Sequence, residues 1–205
     1  MKSCSQSLFT IAAPSTPQND RVYVQSLLEK RNVSASRLLR ARPTFSKSVM
    51  VSVAVSVMGC TQLHFLEPGV KVNGDYYRNV VLKEMLLPDI RHVAGDCFAF
   101  QQDSVPAHCA RDTAALLRKE TPDFIPADLW PPNSPDLNQA DYCVWSILQE
   151  KVYGTRFANT DELKCKLLRE WAKLDHEIIA SAIRQWRRCL RACVTADGGH
   201  FEQAF

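Results

Sequence analysis

Two aspartates and a histidine carry the most suggestive chemistry in this chain of 205 residues. Asp103 ends the apolar run Cys97 to Phe100 in the stretch FQQDSVPAH, His108 follows it, and Asp141 lies in WPPNSPDLNQADYCVW. One carboxylate at a strand end and one on an inward helix face form half of a hard-oxygen site for Mg²⁺ or Mn²⁺. Two such ions about 3.5–4 Å apart activate a water or hydroxyl and stabilise the leaving oxygen of a phosphodiester. A site of that kind needs a third carboxylate. Each residue also has a plain structural reading: Asp103 in a turn or cap, Asp141 in a capping box behind Asn138, His108 hydrogen-bonded at a helix start. An Asp103–His108 acid–base pair acting without metal is a third option.

The elements that position these residues follow from periodicity. Ser48 to Met58 (SVMVSVAVSVM) alternates valine with serine and predicts a strand, with Thr61 to Glu67 as its hairpin partner. Tyr76 to Ile90 has helical spacing, and Pro88 is expected to end that helix. Cys97 to Phe100 reads as a short strand buried on both faces, which puts Asp103 at its carboxyl end, where open α/β sheets bind ligands. Pro106 suits a first helical turn, and Ala110 to Lys119 continues as a helix. Pro131, Pro132 and Pro135 stiffen the loop that delivers the next helix. On that helix Asp141 shares a face with Trp145, Leu148 and Val152, so it points at the sheet. Helices are expected over Asp141 to Tyr153, Thr160 to Asp175 and Glu177 to Val194. Strands alternating with helices imply an α/β fold with a mixed sheet.

Composition narrows the partners. A net charge of +3 does not by itself mark a nucleic-acid binder, but its distribution says more. Lys30, Arg31, Arg37, Arg40, Arg42 and Lys47 occupy a segment without an acidic residue. Arg184, Arg187, Arg188 and Arg191 form one stripe of the last helix, and Ile183, Trp186 and Leu190 another. Either basic region could grip phosphates without reading sequence, and Trp186 reads as core rather than as a base-stacking platform. The eight cysteines are scattered outside any C-x-x-C spacing and read as reduced thiols of an intracellular protein. No signal-peptide core and no membrane-length apolar run is present.

QQDSVPAH followed by WPPNSPDLNQADYCVW resembles the second and third acidic motifs of mariner-type transposases, members of the DDE/DDD superfamily with a ribonuclease H-like fold. Asp103 and Asp141 stand 38 positions apart, the spacing of a mariner branch whose third acid is aspartate. NDRVYV, RPTFSKS, EPGVKVNGDYY, QWRRCLRAC and GGHFE extend the resemblance over nearly the whole chain. It implies a ribonuclease H-like mixed sheet flanked by helices in residues 1–155, its first strand incomplete, and a helical C-terminal extension of the same domain in 156–205. It implies Asp103 and Asp141 as catalytic, metal-binding residues for Mg²⁺ or Mn²⁺, His108 beside them, and DNA as partner. Arg37, Arg40, Arg42, Lys47, Arg184, Arg187, Arg188 and Arg191 would hold that DNA, with transposon ends and target as substrates. A homodimer and a nuclear location are implied too.

The sequence departs from the family at one decisive place. The first acid, expected on the first strand in a pattern like D-E-K, is replaced by Ser5 in Ser5-Gln6-Ser7. Gln139 stands where the family usually has proline, and the N-terminal helix-turn-helix is missing from this sequence. The expectation is an N-terminally truncated remnant with impaired DNA cleavage and strand transfer. The alternative is a non-catalytic DNA-binding or dimerisation module derived from a transposase.

Overall fold

The computed structural model describes residues 2–12, 46–126, 129, 137–138 and 140–196. A six-stranded sheet lies at its centre: β1 (Lys2–Thr10), β2 (Ser48–Ser56), β3 (Gly59–Cys60), β4 (His64–Leu66), β5 (Ala99–Gln101) and β6 (Asp123–Phe124). β1 is central, antiparallel to β2 from Ser3 opposite Val55 to Thr10 opposite Ser48, and parallel to β5 with Ser3 opposite Gln101. β6 runs parallel to β5 at the far edge. β3 and β4 both pair antiparallel with β2; β4 lies in Thr61–Glu67, as the hairpin reading expected, and the returning strand already begins at Gly59. A bulge separates them: between the pairs Val55–Cys60 and Ser52–His64 the returning strand has one residue more than β2. Thr61 fills the break, its hydroxyl accepting from Ala54 N at 2.9 Å.

The alternation read in β2 sorts its side chains between two cores. Val49, Val51, Val53 and Val55 enter the layer shared with Val144, Trp145, Leu148, Val152, Leu163, Leu167, Trp171, Ile179 and Ile183. Ala54 joins Cys4, Tyr77, Leu82, Leu86, Ile90, Phe100 and Leu117 on the opposite face. Each fully buried valine adds about 1.5–3 kcal/mol of hydrophobic stabilisation over its exposed state. The result is a mixed sheet with helices on both faces, and the C-terminal helices pack on the first of them.

On the second face lies α1, which begins at Gly74–Tyr76, is π-helical over Tyr77–Leu86 and finishes as an α-helix over Leu87–Ala94. Asn73 caps it by accepting from Tyr76 N at 2.9 Å. Pro88 was expected to end this helix, yet the helix runs through it to Ala94. The wider π-helical turn explains why: Leu87 N–H bonds to Leu82 O, five residues back, and the following residue sits at the start of a fresh α-helical turn, where a missing N–H costs little. Gly95, at φ 62°, makes the real stop.

α2 (Pro106–Cys109) and α3 (Arg111–Glu120) follow β5. The buried strand itself is Ala99–Gln101, one or two residues later than expected; Cys97 is exposed and precedes it, and Ala99 is only half-buried. α4 starts as a π-helical turn, Ala140–Val144, and continues as Trp145–Tyr153. α5 (Thr160–Ala172) is capped by Asn159, which accepts from Glu162 N at 2.9 Å, and α6 (His176–Thr195) by Asp175, which accepts from Glu177 N at 2.9 Å. All eight cysteines are free, as expected. No helix among the described residues is long and apolar enough to cross a membrane.

Candidate functional site

β1 begins earlier than its apolar residues suggest, at Lys2, and its polar half faces inward. Ser3, Cys4 and Ser5 are all buried. Because side chains alternate along a strand, Cys4 enters the core under α1, while Ser3 and Ser5 face α4 and the residues before it. Buried hydroxyls need partners, and both have them. Ser3 Oγ donates to Asn138 Oδ1 at 2.8 Å, and Ser5 Oγ donates to Asp141 Oδ1 at 2.5 Å. Trp145, one turn along α4, donates its indole N–H to Ser5 Oγ at 3.0 Å.

Asp141 therefore faces the sheet, as its spacing with Trp145, Leu148 and Val152 predicts, and its Oδ1 is taken by Ser5. Asn138 still sets the helix entry, since Asp141 N–H donates to Asn138 O at 3.0 Å. Burial pushes the Asp141 carboxyl above its usual range and the charge of Asp103 adds to this, against the hydrogen bonds from Ser5, Trp145 and Asn138.

Asp103 follows the carboxyl end of β5, beside β1. Its Oδ1 lies 2.5 Å from His108 Nδ1 and also accepts from Val105 N at 3.2 Å. The turn reading holds through Val105 N–H, and the same side chain lies against the His108 ring. Burial alone would raise the Asp103 carboxyl, but the hydrogen bond and charge of His108 and the Val105 N–H outweigh it and hold it low.

His108 is buried and fixed by residues that pattern alone did not single out. Its ring lies against Tyr77, centroids 4.1 Å apart. The Tyr77 hydroxyl donates to Gln102 Oε1 at 2.8 Å, and Gln102 Nε2 donates to His108 O at 3.1 Å. Tyr77 and Gln102 lie 25 positions apart, and only the folded chain brings them together. Trp145 was visible as an inward residue; its need for an acceptor was the available clue to Ser5.

The remaining candidates are spread over the surface. Lys47 is exposed, whereas Arg37, Arg40 and Arg42 lie outside the described residues, as do Gln139 and the prolines of the loop before α4. Arg184, Arg187, Arg188 and Arg191 are exposed on α6, and Arg184 Nη2 meets Glu177 Oε2 at 2.6 Å. Trp186, read as core, is half-buried and joins neither core cluster; it donates to Leu137 O at 3.1 Å, a support for the chain entering α4.

Could this set hold the two-ion centre that the sequence resemblance implies? Among the described residues, no group of three or more His, Cys, Asp or Glu is placed to hold a metal. Asp103 and Asp141 supply hard oxygens, but the third position is a neutral hydroxyl whose proton already points at Asp141. The described residues do not fit a two-ion site.

No protein-family model matches the chain. It is 26% identical over 148 residues to the transposase of transposable element Tcb1 from Caenorhabditis briggsae, covering 71% of this chain and 53% of that protein. The chain spans about half the length of the curated relatives it matches. The Mos1 transposase paired-end complex with left transposon end superposes with a TM-score of 0.77 at 24% identity, covering 98% of this chain and 56% of that one. The catalytic domain of Mos1 mariner transposase gives a TM-score of 0.63 at 26% identity, covering 76% and 77%. Mos1 paired-end complexes have been crystallised with Mn and with Mg. The chain has the fold of the mariner-type transposase catalytic domain, a ribonuclease H-like mixed sheet flanked by helices with a helical C-terminal extension, and it resembles that domain in sequence.

Proposed function

We propose that this chain is a mariner-type transposase catalytic domain that still holds DNA but is impaired in strand cleavage and transfer. The observation that carries this reading is the 2.5 Å contact between Ser5 Oγ and Asp141 Oδ1. Cation-assisted attack on a phosphodiester needs bridging negative charge between two ions, and a hydroxyl supplies none. Asp103 and Asp141 are the two acids that remain, and a Mg²⁺ or Mn²⁺ ion held by them alone would be held weakly, the more so because Asp103 is engaged by His108. DNA is the proposed partner, gripped by the α6 arginines and Lys47 together with Arg37, Arg40 and Arg42, and a nuclear location and homodimer follow from the same reading.

The test is nicking of supercoiled plasmid in Mn²⁺ by wild-type protein, Asp141→Ala and Ser5→Asp. Wild type should match Asp141→Ala, and Ser5→Asp should exceed both. Wild-type nicking that Asp103→Ala abolishes would sink the claim of impairment.

The exposed stripe of Arg184, Arg187, Arg188 and Arg191 supports a second reading, a DNA-binding or dimerising module with no chemistry left. Salt-sensitive DNA binding that survives Asp103→Ala and Asp141→Ala, with no nicking gained by Ser5→Asp, would select it.

A further inference from the structure

Two neighbouring half-buried carboxylates repel unless a cation or hydrogen-bond donors offset their charge. In this chain the donors come from the protein. Asp103 Oδ1 accepts from Val105 N–H at 3.2 Å and lies 2.5 Å from His108 Nδ1, while Asp141 Oδ1 accepts from Ser5 Oγ at 2.5 Å. The direction of the second chain is fixed. An indole N–H can only donate, so Ser5 Oγ accepts from Trp145 at 3.0 Å and must spend its own proton on Asp141. Donation in one direction polarises each bond and strengthens the next. Ser5 is 1% exposed and Trp145 4%, so water does not compete for either.

We infer that Ser5, backed by Trp145, is a built-in substitute for a cation at Asp141, so that the acidic pair is satisfied without Mg²⁺ or Mn²⁺ and holds neither ion strongly enough to deplete it from solution. This rests on the site proposed above but not on DNA binding, and it concerns the folded protein rather than its activity. A cation approaching Asp141 Oδ1 would have to displace a 2.5 Å hydrogen bond and leave the buried Ser5 hydroxyl without an acceptor.

The experiment measures Mn²⁺ uptake from the electron paramagnetic resonance signal of the free ion, together with Tm in chelator and in millimolar MnCl₂. Wild type should leave the signal at full intensity and its Tm unchanged, because only a ligand that binds the folded state raises it. Ser5→Asp should take up Mn²⁺, with a Tm below wild type in chelator and raised by several degrees in MnCl₂. If that variant fails to fold, Ser5→Ala carries the test: without the hydroxyl, its Mn²⁺ uptake should exceed that of wild type. The inference is overturned by wild-type uptake that Asp141→Asn removes, by a folded Ser5→Asp that takes up none, or by equal uptake in Ser5→Ala and wild type. DNA binding followed by fluorescence anisotropy on the same samples keeps the two proposals apart. Loss of DNA binding would count against the proposed function and leave this inference standing.

Discussion

Ser5 and Asp141, 136 positions apart, are joined by a 2.5 Å hydrogen bond that ties the central strand to the start of α4. Replacing Ser5 with alanine leaves the Trp145 indole N–H without its acceptor and Asp141 without its closest donor. The expected cost is about 1–3 kcal/mol in urea denaturation at neutral pH. Its pH dependence follows from the sign of the Asp141 shift. Burial raises that carboxyl in the folded state, so its contribution is fully present below the unfolded pKa and is lost as pH rises through the folded one. The Ser5 bond opposes the shift by favouring the charged form. Ser5→Ala should therefore lose most at neutral pH and least in acid, and a difference from wild type that grew on acidification would contradict the assigned hydrogen bond.

Tyr77 links the helix on the other face to the Asp103 side of the site. Tyr77→Phe keeps the ring against His108 and deletes the hydroxyl that donates to Gln102 Oε1 at 2.8 Å. A buried amide oxygen left unpaired costs about 1–3 kcal/mol. Urea denaturation should show this loss, and Gln102→Leu in the same background should recover part of it. A double mutant in which the two losses simply add would mean that the pair is not coupled.

Cys4 beneath Tyr77 gives a prediction read by chemistry instead of stability. Burial first, and then the charge of Asp103, push its thiol up to about 12. A raised thiol pKa leaves the folded state unaffected below the unfolded value and destabilises it as pH climbs toward the folded one. At mildly alkaline pH, Cys97, Cys109 and Cys165, all exposed, should be alkylated in the native protein, while Cys4 should react only after denaturation. Peptide mapping after a short iodoacetamide pulse reads this directly, and native labelling at Cys4 would refute the packing of β1.

Much of this arrangement was legible because it is written in local spacing. The valine–serine alternation of β2 gave the strand, and the spacing from Asp141 to Trp145, Leu148 and Val152 gave the inward aim of its carboxylate. What was hidden depends on contacts distant in sequence. The segment Lys2–Ser7 has no apolar alternation, yet it forms two-thirds of the central strand because Asn138 and Asp141, far along the chain, satisfy its buried hydroxyls. Pro88 looked like a helix end because the rule assumes an unbroken α-helix, and the π-helical turn before it changes where the lost N–H falls. Gln102 beside Asp103 has no pattern that points to Tyr77.

The α6 arginines make a graded prediction for DNA binding. Each cation that neutralises a phosphate adds about 0.9 to the slope of log K against log salt on duplex DNA. Arg187 and Arg191 are exposed, whereas Arg184 already spends charge on Glu177 at 2.6 Å. Arg187→Ala and Arg191→Ala should each lower the slope by about 1, and Arg184→Ala by less. Glu177→Gln should work in the opposite direction, releasing the Arg184 guanidinium and tightening binding at low salt. Fluorescence anisotropy over a salt series reads all four variants. Equal effects of Arg184→Ala and Arg187→Ala would show that the Glu177 contact does not persist on DNA, and a flat salt dependence in wild type would remove α6 from the DNA-holding surface.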